Sequence, residues 1–343
     1  VKGIVAAGHE LTAMAGAEML DAGGNAFDAA VAASFASFVC ESALTSPAGG
    51  GFFMVHPREA GEPVRLYDFF TNVAGLGASK SDINFFPVDI NFAGAWQSMH
   101  IGEGSAAVPG TIAGLNAVYK NHCTMPLKEL IAPAVRYARQ GLKLTACQAS
   151  FNGILQPVFV SEASRSVYNP DGRLMKEGEL FTNVRMADTF EHLGVEGLES
   201  FYDGDIASLI IEGFGERGFI TREDLSAYRV VERAPLDFDY RSRRIFTNPP
   251  PSSGGTLIAF ALKLMERFDL GALSPGRADY LKLLARVMRV TNEARRKDVD
   301  HRIHEEGIAA ELLSEKSLRS YAEMLKGAAA SGAEGADPSG AGS

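Results

Sequence analysis

The segment from Asn25 to Cys40 limits what this chain can fold into more than any other part. Phe27, Val31, Phe35 and Phe38 recur at helical spacing, and Ala29, Ala30, Ala32, Ala33, Ser34, Ala36 and Ser37 fill the positions between. A helix that is small and apolar nearly all round has no face suited to water, so it must lie buried between layers. Asn25 is placed to cap it, with Asp28 at the third position. Gly23-Gly24 stops the preceding helix, in which Leu11, Met14, Ala15, Met19 and Ala22 share one face. Burying a helix on all sides needs a large core, and 343 residues can build one.

The elements that follow point to helices layered on sheet, an α/β (α+β) fold class. Residues 3–7, 52–55 and 64–70 read as strands, and 236–246 alternates weakly as another. Residues 83–104 are Phe- and Gly-rich without a clear period and read as a long loop. Val108-Pro109-Gly110-Thr111 opens a helix with its cap near Gly110 or Thr111. Further helices are predicted over 126–140, in pieces over 187–230, from Thr256 to Phe268 and over 277–298. Pro249-Pro250-Pro251-Ser252-Ser253-Gly254-Gly255 reads as a rigid turn. Residues 1–326 show no clean boundary and are treated as one unit. From Gly327 to Ser343 every residue is Gly, Ala, Ser, Glu, Asp or Pro, which predicts a mobile tail.

Charge and composition remove several function classes. The net charge of −9 argues against a nucleic-acid partner, which would need a basic face. No apolar run approaches the length of a membrane span. Three scattered cysteines make neither a disulfide framework nor a zinc ribbon. Val1 in place of Met suggests a processed or trimmed chain; a removed signal peptide would leave the same picture, so the compartment stays open. Glycine, at 36 residues, is in excess, against an ordinary share of about 7%.

The motifs give no persuasive nucleophile and base. Gly49-Gly50-Gly51 could cradle an anion, but neither a P-loop nor a dinucleotide fingerprint follows it. The alternative is tight backbone packing against the Ala-rich helix. Ser252 or Ser253 could be a nucleophile, or could cap the helix behind it. His301 and His304 stand three apart among Asp300, Arg302, Glu305 and Glu306, which reads as a solvated charge run rather than a metal site. Cys40 reads as a core thiol. Trp96 and the phenylalanines at 69, 70, 85, 86 and 92 either line an apolar pocket or are plain core.

Seven blocks in register nevertheless resemble the gamma-glutamyltranspeptidase family. They are residues 17–33, with Asp21-Ala22-Gly23-Gly24-Asn25-Ala26-Phe27-Asp28 at their centre; Gly49-Gly50-Gly51-Phe52-Phe53-Met54-Val55; and Val108-Pro109-Gly110-Thr111 with Gly114. Leu130-Ile131-Ala132-Pro133-Ala134, Phe201-Tyr202-Asp203-Gly204-Asp205-Ile206-Ala207, Thr221-Arg222-Glu223-Asp224-Leu225 with Tyr228, and Pro249 to Gly255 complete the set. The resemblance implies an N-terminal nucleophile hydrolase fold, an αββα sandwich of which this chain would be the large-subunit portion. It implies a precursor that cuts itself and frees a Thr at the start of a small subunit. That Thr is the nucleophile and its own amino group the base. The chain would then hold no catalytic residue, would need no metal or organic cofactor, and would end at the autocleavage site. Its partners would be the small subunit, in a heterodimer or a dimer of heterodimers, and a small-molecule amide.

One departure bears on specificity. Members acting on gamma-glutamyl compounds carry Asp-x-Arg-Glu on the second strand, and that Arg binds the substrate carboxylate. Here the run is Leu66-Tyr67-Asp68-Phe69-Phe70-Thr71-Asn72, with Phe70 in the Arg place and Thr71 in the Glu place. Phe cannot form the bidentate contact an Arg makes with a carboxylate. Strand parity turns Arg65 the other way. The expected substrate-binding residues are therefore Phe70, Phe69, Thr71 and Asn72, supported by Ser252, Ser253, Gly254 and Gly255, and ordinary glutathione is not the expected substrate. The rival readings are a non-catalytic binding remnant of the fold and a truncated fragment.

Overall fold

Asn25 and Asp28 close the expected capping box. The Asn25 side chain accepts from the Phe27 and Asp28 backbone N–H groups, and the Asp28 carboxylate accepts from the Asn25 N–H at 2.7 Å. The structure, a computed structural model, describes residues 3–57, 61–78 and 82–330. Its chain divides into two compact units, residues 1–53 with 67–231, and residues 54–66 with 232–343. No linker marks this division in the sequence, because two of the three crossings, at 53/54 and 66/67, fall inside predicted strands.

In the first unit, α1 (Glu10–Asp21) and α2 (Ala26–Cys40) precede β1 (Gly51–Val55) and β2 (Arg65–Phe69). A hairpin, β3 (Phe86–Phe92) and β4 (Ala95–Ile101), leads to α3 (Thr111–His122) and α4 (Leu127–Gln140). Then come β5 (Leu142–Lys143), α5 (Ala146–Leu155), α6 (Glu162–Tyr168), β6 (Leu180–Phe181), α7 (Val184–Glu196), α8 (Ser200–Asp203), α9 (Asp205–Phe214) and α10 (Arg222–Ala227). As its composition demands, α2 is covered by α1, α3 and α4. Val31, Phe35 and Ala36 are sealed from solvent, and Phe35 meets Phe190 of α7 edge to face, with ring centres 5.4 Å apart. Each such buried aromatic contributes about 1.5–3 kcal/mol.

In the second unit, β7 (Val231–Arg233) leads into the antiparallel hairpin β8 (Leu236–Tyr240) and β9 (Arg243–Thr247), then α11 (Ser253–Met265), α12 (Ala278–Ala294), α13 (Ile308–Leu312) and α14 (Glu315–Ala330). Its core joins Phe260 and Leu264 of α11, Val287 and Val290 of α12, and Leu318, Tyr321 and Leu325 of α14. The chain passes between the units in β1, β2 and β7, which form a three-stranded sheet in the order β1-β2-β7.

Four expectations are corrected. Residues 3–7 form no strand, and Ile4 is almost fully exposed. The long loop over 83–104 is the β3–β4 hairpin, with Asn91 opposite Trp96. Its two-residue turn places Ala93 at φ 54° and Gly94 at φ 103°, the left-handed pair that such a turn requires. Alanine there hides the usual Asn-Gly signal, and the Asn91 side chain compensates by accepting from the Gly94 N–H at 2.6 Å. The weak strand over 236–246 is likewise two strands, turning at Arg241 and Ser242. Finally, α14 runs through residues 327–330, so the start of the expected tail is helical; residues 331–343 lie outside the described residues.

Candidate functional site

Three blocks far apart in sequence meet at the end of β2. The Gly49 carbonyl accepts from the N–H groups of Gly110 and Thr111, at 2.8 and 3.0 Å, at the opening of α3. Asn72 and Val108 exchange backbone hydrogen bonds of 3.2 and 2.8 Å. Gly50 lies so close to Thr71 that a Cβ would stand 2.6 Å from the Thr71 nitrogen. The triple glycine thus packs on β2 and the start of α3, where the sequence suggested the Ala-rich helix. Gly49 is bound to the opening of α3, and all three glycines also line a cavity shared with Phe69.

Phe69 and Phe70 point to opposite sides, as alternation along a strand requires. Phe69 is buried, with its ring against Gly51 and Gly114. It lines a cavity of about 420 Å³ together with Ser34, Ser37, Ser46, Phe53 and Thr111. Phe70 is 59% exposed and stacks on Phe52, with ring centres 5.8 Å apart. Its carbonyl accepts from the Tyr228 hydroxyl at 2.8 Å, and its N–H donates to the Asp68 carboxylate at 3.1 Å. Burial, with Asp68 nearby, pushes the Tyr228 phenol well above its ordinary range, so Tyr228 acts as a neutral donor. Tyr202 stacks beside it and donates to the Pro109 carbonyl at 2.9 Å. These two tyrosines fix the site's backbone, a role that residue type alone did not reveal.

The Asp68 carboxylate thus lies beside Phe70 at the end of β2. Arg65 is engaged by Glu232 at 3.1 Å. Thr71 is half-buried against Gly50, and Asn72 is exposed.

Ser252, Ser253, Gly254 and Gly255 belong to the second unit. Ser252 occupies the N-cap of α11 without a side-chain hydrogen bond to it; its N–H donates to the Pro249 carbonyl at 3.1 Å. Gly255 lies against the Asn248 backbone, where a Cβ would overlap the carbonyl oxygen. Among the described residues neither serine hydroxyl has a histidine or carboxylate partner. His301 and His304 are exposed, and Arg302 between them pairs with Glu305 and Glu311, the charge run expected. Burial pushes the thiols of Cys40 and Cys123 up to about 12, so neither is an activated nucleophile.

Comparison with known proteins then gives this arrangement its context. Residues 12–341 match the family described as gamma-glutamyltranspeptidase. The glutathione hydrolase proenzyme of Escherichia coli (strain K12) is 31% identical over 83% of this chain and 48% of its own length. An acylase ACY 1 proenzyme of Pseudomonas sp. (strain V22) is 29% identical over 84% of the chain and 52% of its own. The crystal structure of Helicobacter pylori gamma-glutamyltranspeptidase superposes with a TM-score of 0.81 at 30% identity, covering 94% of this chain and 91% of that one. The chain spans about half the length of the curated relatives it matches.

Proposed function

Because the chain belongs to the gamma-glutamyltranspeptidase family, with the N-terminal nucleophile hydrolase fold, we propose that it is the large subunit of a self-processed amidohydrolase or acyltransferase. A small subunit from the same precursor supplies the catalytic Thr, whose hydroxyl attacks the amide carbonyl and whose amino group takes the proton. The half-length match to proenzymes supports this reading. So does the apolar surface left uncovered around the site, where Phe70 is 59% and Val73 92% exposed.

The observation that carries the specificity is the stack of the exposed Phe70 on Phe52. A substrate carboxylate there would meet an apolar ring, which disfavours an α-carboxylate such as that of a gamma-glutamyl group. The acyl group accepted is uncharged or apolar at this point. The test is an amide panel on the co-expressed precursor: a gamma-glutamyl anilide and a glutaryl anilide, which both carry the carboxylate, and apolar butyryl and hexanoyl anilides, which lack it. Turnover of the apolar amides over the gamma-glutamyl anilide is expected. Preference for the gamma-glutamyl anilide would overturn the specificity, and an active protein holding no second subunit would overturn the division of labour.

A further inference from the structure

We propose that a second cavity, between the β3–β4 hairpin and α6, binds a zwitterionic amino acid or short peptide with an apolar side chain. The cavity holds about 580 Å³, within the range of small-molecule sites. Asn91 stands opposite Trp96 and Asp89 opposite Ser98 across the hairpin, so Asp89 and Trp96 share one face. Both line the cavity; Phe159, Val160, Arg165 and Asn169 line it from the other side.

Three features make this wall unusual. Trp96 leaves 70% of its surface open on a hairpin whose Ile90 is fully buried on the opposite face. An indole at the mouth of a cavity offers a stacking surface to an apolar or aromatic side chain. Asp89 and Arg165 carry opposite charges into the same cavity, yet among the described residues neither has an ion-pair partner. They therefore stand farther apart than a salt bridge, and a ligand carrying both an ammonium and a carboxylate bridges such a gap. The Arg165 Nε donates to the Phe159 carbonyl at 3.4 Å, which leaves the outer nitrogens of the fork for a carboxylate. Asn169 adds a carboxamide oxygen that is shielded from solvent and has no partner among the described residues. A ligand N–H satisfies that acceptor. This site is separate from the Phe70 cluster, so its test stands or falls independently of the proposed catalytic function.

The chain's single tryptophan is Trp96, so intrinsic fluorescence reports on the cavity. The purified protein is titrated with L-phenylalanine and with the dipeptide L-phenylalanyl-glycine, and the Trp96→Phe variant isolates the Trp96 signal. A saturable change with either zwitterion is expected, and the stronger of the two names the source. 3-Phenylpropionate, which lacks the ammonium, and 2-phenylethylamine, which lacks the carboxylate, should each bind about tenfold more weakly or less. Arg165→Leu should remove the preference for L-phenylalanine over 2-phenylethylamine, and Asp89→Asn the preference over 3-phenylpropionate. Because each variant changes discrimination against one analogue only, general loss of fold is told apart from loss of a contact. No saturable change with either zwitterion, or equal binding of all four probes, overturns the proposal.

Discussion

Asp28 carries more hydrogen bonds than a helix cap requires. Besides closing the box with Asn25, its buried carboxylate accepts from the Thr124 N–H and hydroxyl and from the Met125 N–H, at 2.9, 2.7 and 3.0 Å. It therefore joins α2 to the α3–α4 connection. Asp28→Ala strands these donors in the interior, and a loss of about 3 kcal/mol is expected from urea unfolding. Phe70 is the other residue with a sharp consequence. Phe70→Arg places a guanidinium where a substrate carboxylate would lie and should raise kcat/KM for a gamma-glutamyl anilide about tenfold in the processed enzyme. No change in that ratio counts against the reading of Phe70. Asn25 and Asp28 were legible because a capping box is local in sequence. The Thr124 and Met125 contacts were not, since only folding brings them to Asp28.

At the scale of elements, the helix and strand junction around β2 depends on missing side chains. A Cβ on Gly114 of α3 would overlap the Phe69 ring, which the packing of β2 holds in place. Gly114→Ala should lower stability by about 1–3 kcal/mol, read as a fall in Tm. Gly254→Ala in α11 is the contrast, with nothing within 4 Å of the added carbon; it should be neutral or mildly stabilising. The helices were readable from their period, and α2 above all. The β3–β4 hairpin was missed although Phe86, Val88, Ile90 and Phe92 alternate with Pro87, Asp89 and Asn91, because its turn lacks the usual residues and the Phe- and Gly-rich surroundings hide the period. The division of labour between Phe69 and Phe70 follows from strand alternation, but which side faces the interior was settled by Gly51 and Gly114.

At the scale of the whole molecule, two capping aspartates set the acid limit. Asp224 repeats the pattern of Asp28: it closes a box with Thr221 and also accepts from the Gly75 and Leu76 N–H groups, each at 3.0 Å. Burial alone would push both carboxyls up, but the hydrogen bonds outweigh it and hold both below the ordinary carboxylate value. The folded state thus prefers the ionised form. Its contribution is complete above the unfolded-chain value, about 3.9, and is lost as pH falls through the lower folded values. Stability should drop steeply below about pH 4, and Asp28→Asn with Asp224→Asn should flatten that limb; an unchanged slope in acid urea titrations would discount both groups. The larger prediction concerns the second subunit. Intact mass of the co-expressed precursor should show a companion chain beginning with Thr.

The sequence by itself determined the buried α2, its cap, the family blocks and the Phe at position 70. Each is a local pattern or an identity at one position, and neither needs distant partners to be read. Only the tertiary structure decided that Gly49–Gly51, Phe70–Asn72 and Val108–Thr111 form one junction, that Phe70 rather than Phe69 faces outward, and that Asp89 and Arg165 share a cavity without pairing. Those facts depend on which backbones approach closely enough to exclude a side chain, and on separations in space that the spacing along a chain does not encode.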